Sequence, residues 1–305
     1  MDCYLLAVRV SQPRMATAFR GATQLNRSTS PRLAADVIVA HWPEYLMEGA
    51  ELALFMISAC LVTALLQHPA SPLRPFLPND FLRRLLTGLA MAGTAVAIIY
   101  SPLGQRSGAH FNPSVTLTYL RLKKIELWDA VFYIVAQFAG GFAGVFVSAL
   151  LLGGAITDAN VNFAATLPGP GGRSLAFAAE LGISFVLFLT VLIVSNHAKL
   201  SRFTPIFVGI LVATYITFES PLSGMSMNPA RTLGSALIPR LFEGLWIYFA
   251  GPIAGMLLAA EVFVRLRSLR AVHCAKFHHH NSKRCIFRCE FGLLTKDSKA
   301  TRQTN

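Results

Sequence analysis

Charged side chains make up only 14% of the 305 residues, and acids are scarcer than bases, 15 against 27. Soluble domains carry roughly a quarter of their residues charged, so an ordinary water-soluble protein is excluded. Cysteine is too sparse for a disulfide framework. Cys60 reads as a small apolar residue inside a hydrophobic run, and Cys274, Cys285 and Cys289 crowd one end. The first 40 residues hold arginines but no apolar core of the secretory-signal kind. They read as a basic extension, with Met15 an alternative start, ahead of an organelle transit peptide. A nucleophile paired with a base and a glycine-rich nucleotide loop are both missing, so no enzyme, catalytic residue or cofactor is expected. The tail cysteines, with His273 and His278-His279-His280, match no zinc spacing, so no metal centre is expected either.

Apolar length is what the chain has in quantity: 54% of it is hydrophobic, and six runs can cross ~30 Å of hydrocarbon. They fall near 45–67, 82–103, 126–151, 174–196, 203–221 and 243–266. The expected organisation is a basic, disordered extension over 1–43, a membrane domain over 44–266, and a basic, disordered tail over 267–305. The net charge of +12 is unevenly spread. Arg9, Arg14, Arg20, Arg27 and Arg32 precede the first run, and Arg265, Arg267, Arg270 and Lys276 close or follow the last. Lys199, Arg202, Arg121, Lys123 and Lys124 sit in connections on the same side. The loop from Gly153 to Gly172 carries only Asp158, while Arg74 fits the pattern less well. Six spans with both termini cytoplasmic, in the cell membrane, satisfy the positive-inside rule. Topology accounts for the basic residues without a nucleic-acid partner, and the lipid bilayer is the expected surrounding.

Asn-Pro followed by a small residue occurs twice, as Asn112-Pro113-Ser114 and Asn228-Pro229-Ala230. Asn is a strong helix N-cap, and Pro suits the first helical position, where no N–H is needed. Each copy therefore opens a helix, and each stretch is too short to span. Ala50-Glu51-Leu52 in the first run matches Ala179-Glu180-Leu181 in the fourth; Gly88 matches Gly209; Ala139-Gly140-Gly141 parallels Gly251-Pro252 to Gly255. Three spans plus one half-helix thus recur, and an odd number of spans inverts the second copy. The expected fold is an all-α membrane protein of six transmembrane helices and two re-entrant half-helices in an inverted repeat, with positive helix ends meeting at mid-membrane. Glu51 and Glu180 could form a proton relay, but one acid per loop favours acceptors for the backbone N–H groups of irregular segments.

These residues resemble the major intrinsic protein family, the aquaporins and glycerol facilitators. The likeness covers about 44–266 and includes Ser107-Gly108-Ala109-His110-Phe111-Asn112-Pro113, Ala136-Gln137-Phe138-Ala139-Gly140-Gly141 and Asn228-Pro229-Ala230-Arg231. Ser114 stands where the family usually has Ala. The resemblance implies a passive channel for water and small neutral solutes, assembled as a homotetramer. Asn112 and Asn228 would donate into the pore. Carbonyls of Gly108, Ala109, His110, Phe111, Gly224, Met225, Ser226 and Met227 would line its two halves, and Arg231 with the helix ends would repel cations and protons. A secondary transporter and a closed structural protein are the competing readings.

The resemblance divides on selectivity. Thr232, Ala236, Tyr248 and Phe249 are water-type marks. Counting from the motifs without gaps, the constriction falls on Ala92, Ile216, Met225 and Arg231, where water-selective relatives carry an aromatic and a His at the first two. That implies a wider, more apolar opening, unless a register shift of one brings in Met91.

Overall fold

The computed structural model describes residues 33–292, and its regular elements are all helical. In chain order they are α1 (Ala34–Gln67), α2 (Asp80–Tyr100), the short α3 (Pro102–Ser107) and α4 (Pro113–Arg121), α5 (Leu127–Leu152), α6 (Gly172–Ser195), α7 (Thr204–Phe218), the short α8 (Ser220–Ser223) and α9 (Pro229–Leu237), and α10 (Ile247–Arg267). Six of these lie in segments long and apolar enough to cross a membrane. The second half repeats the first element for element: long, long, one turn, half-helix, long. Five of the six spans begin and end within about five residues of the limits read from hydropathy.

Helix–helix seams are made by small residues. α1 packs along α5, α6 along α10, and α2 against α7. A Cβ on Gly140 of α5 would lie 2.0 Å from the Gly49 carbonyl oxygen of α1, and one on Gly255 of α10 would lie 2.3 Å from that of Leu181 in α6. The backbones approach so closely because the glycine of each contact carries no side chain there, the usual device where lipid removes the hydrophobic incentive to associate.

Two expectations need correction. The first span starts at Ala34, not near 45, and Pro43 lies inside α1 without ending it. His41 Nδ1 and Tyr45 Oη both lie 2.6 Å from Asp129 Oδ1 at the start of α5, a buried tie that hydropathy cannot register. At about 1.5 Å per residue, a helix of 34 residues outruns the ~30 Å hydrocarbon layer. The second correction concerns the tail, which is packed, not disordered, over residues 268–292: Val272, Cys274, Ala275, Phe277 and Phe287 are buried. Expectations for 1–32 and 293–305 lie outside the described residues.

Gly140→Ala is expected to force α1 and α5 apart, an overpacking that costs about 1–3 kcal/mol. Gly182→Ala, where an added Cβ meets nothing within 4 Å, is the matched control. Thermal unfolding in detergent should fall clearly for the first and hardly for the second.

Candidate functional site

Asn112 and Asn228 cap the half-helices as their chemistry dictates. Both have extended backbones, and each side-chain oxygen accepts a first-turn N–H, from Ser114 at 2.9 Å and from Ala230 at 3.0 Å. The amide nitrogens cross over. Asn112 Nδ2 donates to the Met227 carbonyl and Asn228 Nδ2 to that of Phe111, both at 2.7 Å. Each amide nitrogen carries two hydrogens, so a second N–H remains at the point where α4 and α9 meet.

The loops leading into these caps are held in an unfavourable backbone conformation. Gly108, Ala109 and Phe111 have φ of 104°, 58° and 29°; Gly224, Met225 and Met227 have 82°, 53° and 56°. Left-handed non-glycine residues persist only where their surroundings over-determine them. Here the surroundings are mirrored. Ser107 Oγ donates to Glu51 at 2.7 Å and accepts Ala109 N–H at 2.9 Å; Ser223 Oγ donates to Glu180 at 2.8 Å and accepts Met225 N–H at 3.1 Å. Tyr133 and Tyr248 donate to the carbonyls of those serines, each at 2.6 Å.

The mirror breaks at the backbone N–H groups. Glu180 accepts both Ser226 and Met227 at 2.7 Å. Their counterparts, His110 and Phe111, go to Glu48 at 2.9 and 2.6 Å, with Gln137 steadying the same carboxylate. Glu51 therefore supports its loop only through a hydroxyl, and Glu48, one turn earlier on the same helix face, takes the backbone role assigned to it. The sequence signal was present, since an acid three residues away in a membrane span calls for its own explanation.

A cavity of about 350 Å³ runs past the crossed asparagines. Ile216, Met225 and Arg231 line it on one side of the motifs; Leu187, Val208 and Phe277 line it on the other. From α2 it is lined by Arg84, Thr87, Met91 and Ala95, not by Ala92. Ala92 faces α7, its Cβ 3.8 Å from where a Gly209 Cβ would stand. Gapless counting thus named a residue turned away from the cavity, with Thr87 and Met91 on the lumen face of the same helix. Arg231 is half-buried in this wall, and its Nη1 has no hydrogen-bond partner among the described residues.

The carbonyl row is also narrower than expected. The oxygens of Phe111 and Met227 are engaged by the asparagines, and Gly108 oxygen accepts the Phe277 N–H at 3.1 Å. Gly108 and Ala109 do not line the cavity, whereas His110, Phe111, Gly224, Met225, Ser226 and Met227 do. Phe277, a tail residue, was not foreseen.

Six apolar helices around a lumen with paired helix N-termini make a membrane channel. A family model described as major intrinsic protein matches residues 37–263. Aquaporin NIP2-3 of Zea mays is 33% identical over 223 residues, 72% of this chain and 72% of that protein. Probable aquaporin NIP7-1 of Arabidopsis thaliana is 32% identical over 191 residues, 62% of this chain and 67% of that protein. The X-ray structure of the aquaglyceroporin from Plasmodium falciparum shares the fold, with a TM-score of 0.61 at 21% identity over 76% of this chain and 98% of that one. The chain belongs to the major intrinsic protein family, whose members are passive channels for water and small neutral solutes and not enzymes.

Glu180→Gln puts an amide donor where two N–H groups and a hydroxyl now converge. An unsatisfied buried donor costs about 1–3 kcal/mol, so the melting temperature and the water permeability of proteoliposomes should both drop. Glu51→Gln should be milder, because its partner is a hydroxyl that can reverse its role.

Proposed function

We propose that the pore passes water together with somewhat larger neutral solutes such as glycerol, urea or hydrogen peroxide, while excluding protons and ions. The observation that carries this reading is the lopsided wall beyond the asparagines. Arg231 Nη1, unpaired among the described residues, the loop carbonyls and the Thr87 hydroxyl offer polar atoms, while Met91 and Ile216 offer apolar surface. A solute with one polar and one apolar edge recovers its hydrogen bonds from the first and loses little against the second. Met91 is unbranched and adaptable, so the opening yields more readily than one framed by an aromatic ring. The second N–H of each asparagine can hold a passing oxygen at the midpoint. The guanidinium and the two helix ends oppose cations there.

The acids support a channel over a coupled transporter. Glu48 and Glu180 accept hydrogen bonds through both carboxylate oxygens, and Glu51 accepts one from Ser107, so each acid is committed to holding a loop. We assign the tail side to the cytoplasm of the cell membrane, because Arg121, Lys123, Lys124, Lys199 and Arg202 cluster there. We take the assembly to be the homotetramer that the family resemblance implies, to be checked by native mass in detergent.

Swelling of proteoliposomes in gradients of water, glycerol, urea and hydrogen peroxide tests the solute range. Met91→Phe with Ile216→His should reduce glycerol passage far more than water passage. If the parent excludes all three larger solutes, the lopsided wall does not set selectivity. Arg231→Val should leave water permeability nearly intact while proton conductance rises several-fold; equal proton conductance in parent and variant would remove Arg231 from the barrier.

A further inference from the structure

Beyond α10 the chain doubles back over the mouth on the tail side. Four residues of this segment converge: the ligand atoms of Cys274, His279, Cys285 and Cys289 all lie within 4.8 Å of one another. Cys274 Sγ is 3.6 Å from Cys285 Sγ, and Cys289 Sγ is 2.9 Å from His279 Nε2. The sulfur–sulfur distance far exceeds the ~2.05 Å of a disulfide. It matches the edge of a tetrahedron whose sulfurs stand ~2.3 Å from a central Zn²⁺. Three thiols and an imidazole form a closed structural donor set, and soft sulfur ligands disfavour magnesium and calcium.

The neighbours agree with an anionic centre. Zn²⁺ with three thiolates and a neutral imidazole carries one net negative charge, and the buried Lys276 lies among these sulfurs. Its Nζ donates to the carbonyls of Gln105 and Arg284, both at 2.7 Å, and an anionic cluster would add to the counter-charge of Glu44. The flanking histidines are employed elsewhere: His280 Nε2 meets Ser201 Oγ at 2.9 Å, and His278 packs edge-on against Tyr100. The segment from Cys274 to Cys289 has no helix or strand of its own, and small folds of that kind commonly depend on a metal.

The same segment lies against the mouth. Ala275 oxygen accepts from His110 Nε2 at 2.9 Å, which makes that nitrogen the protonated one. Phe277 donates its N–H to Gly108, and its ring borders the cavity. Phe287 stacks on His110 with centroids 5.2 Å apart and lies where a Gly108 Cβ would come within 2.6 Å. Ligands and mouth contacts alternate along the chain: Cys274, Ala275, Phe277, then Cys285, Phe287 and Cys289. The family match ends at residue 263, before any of them.

We propose that Cys274, His279, Cys285 and Cys289 form a tetrahedral Zn²⁺ site that clasps the tail over the mouth, so that metal loading holds this end of the pore closed. The binding half stands on the four side chains alone; the closure half rests on the channel reading.

Full-length protein purified without added metal should contain about one zinc per chain by elemental analysis. Cobalt substitution should give the intense absorption of tetrahedral thiolate coordination. Cys285→Ser and His279→Ala should lose the metal, His279→Cys should keep it, and Cys60→Ser should have no effect. Cys289→Ser, at an exposed position, covers the case in which Cys285→Ser fails to fold. Absence of stoichiometric zinc, iron or copper in its place, or a cobalt spectrum without thiolate bands would overturn the site. In proteoliposomes, stripping zinc with a strong chelator should raise water permeability several-fold, and adding it back should reverse the rise. Cys285→Ser should be fast and unresponsive. Zinc bound with permeability unchanged on stripping would overturn the clasp. Stripped protein and tail variants that all remain impermeable would instead count against the channel reading, with the metal content unaffected.

Discussion

The structure depends on one reciprocal pair of hydrogen bonds, Asn112 to the Met227 carbonyl and Asn228 to the Phe111 carbonyl. Each asparagine starts a helix with its oxygen and holds the opposite loop with its nitrogen. Neither half-helix can therefore be placed without the other. The bond joins the tips of α4 and α9, fixes the carbonyl direction at Phe111 and Met227, and sets where two positive helix ends face one another. The glycine seams and buried acids serve that arrangement from outside it.

The two repeats reach it by partly different means. Ser107 and Ser223, with Tyr133 and Tyr248 behind them, are close structural equivalents. The carboxylates are not, because Glu180 does the work that Glu48 and Glu51 divide. The departure comes with a difference in surroundings: the first loop also bears the tail, through Gly108 and His110, and the second does not. The lumen accordingly carries a guanidinium toward Arg231 and is bordered by an aromatic ring toward Phe277.

The sequence made legible whatever is local or compositional. Spans are read from apolar length, and the caps at Asn112 and Asn228 from signals only a few residues long. Internal repetition then supplied the inversion. What stayed hidden needs a rotation or a distant partner. Met91 and Ala92 are both apolar and differ by about 100° of helix rotation, which composition cannot resolve. Glu48 and Glu51 share a helix face, and only the loop's position decides between them. The early start of α1 is secured by Asp129, 88 residues away from His41 in the chain. The tail's contact with His110 spans 165 residues, from a segment whose composition alone reads as disorder.

Arg231 gives the arrangement its least comfortable member. It is half-buried in the lumen wall, and its Nη1 is left without a partner among the described residues. A buried charge lacking full compensation weakens a fold, and exchanging it for an apolar side chain of similar volume commonly strengthens one. A guanidinium at this place is thus maintained against the folding equilibrium. On the proposed role of Arg231, selection for thermal robustness alone would discard the guanidinium and arrive at a sturdier protein with a leakier pore.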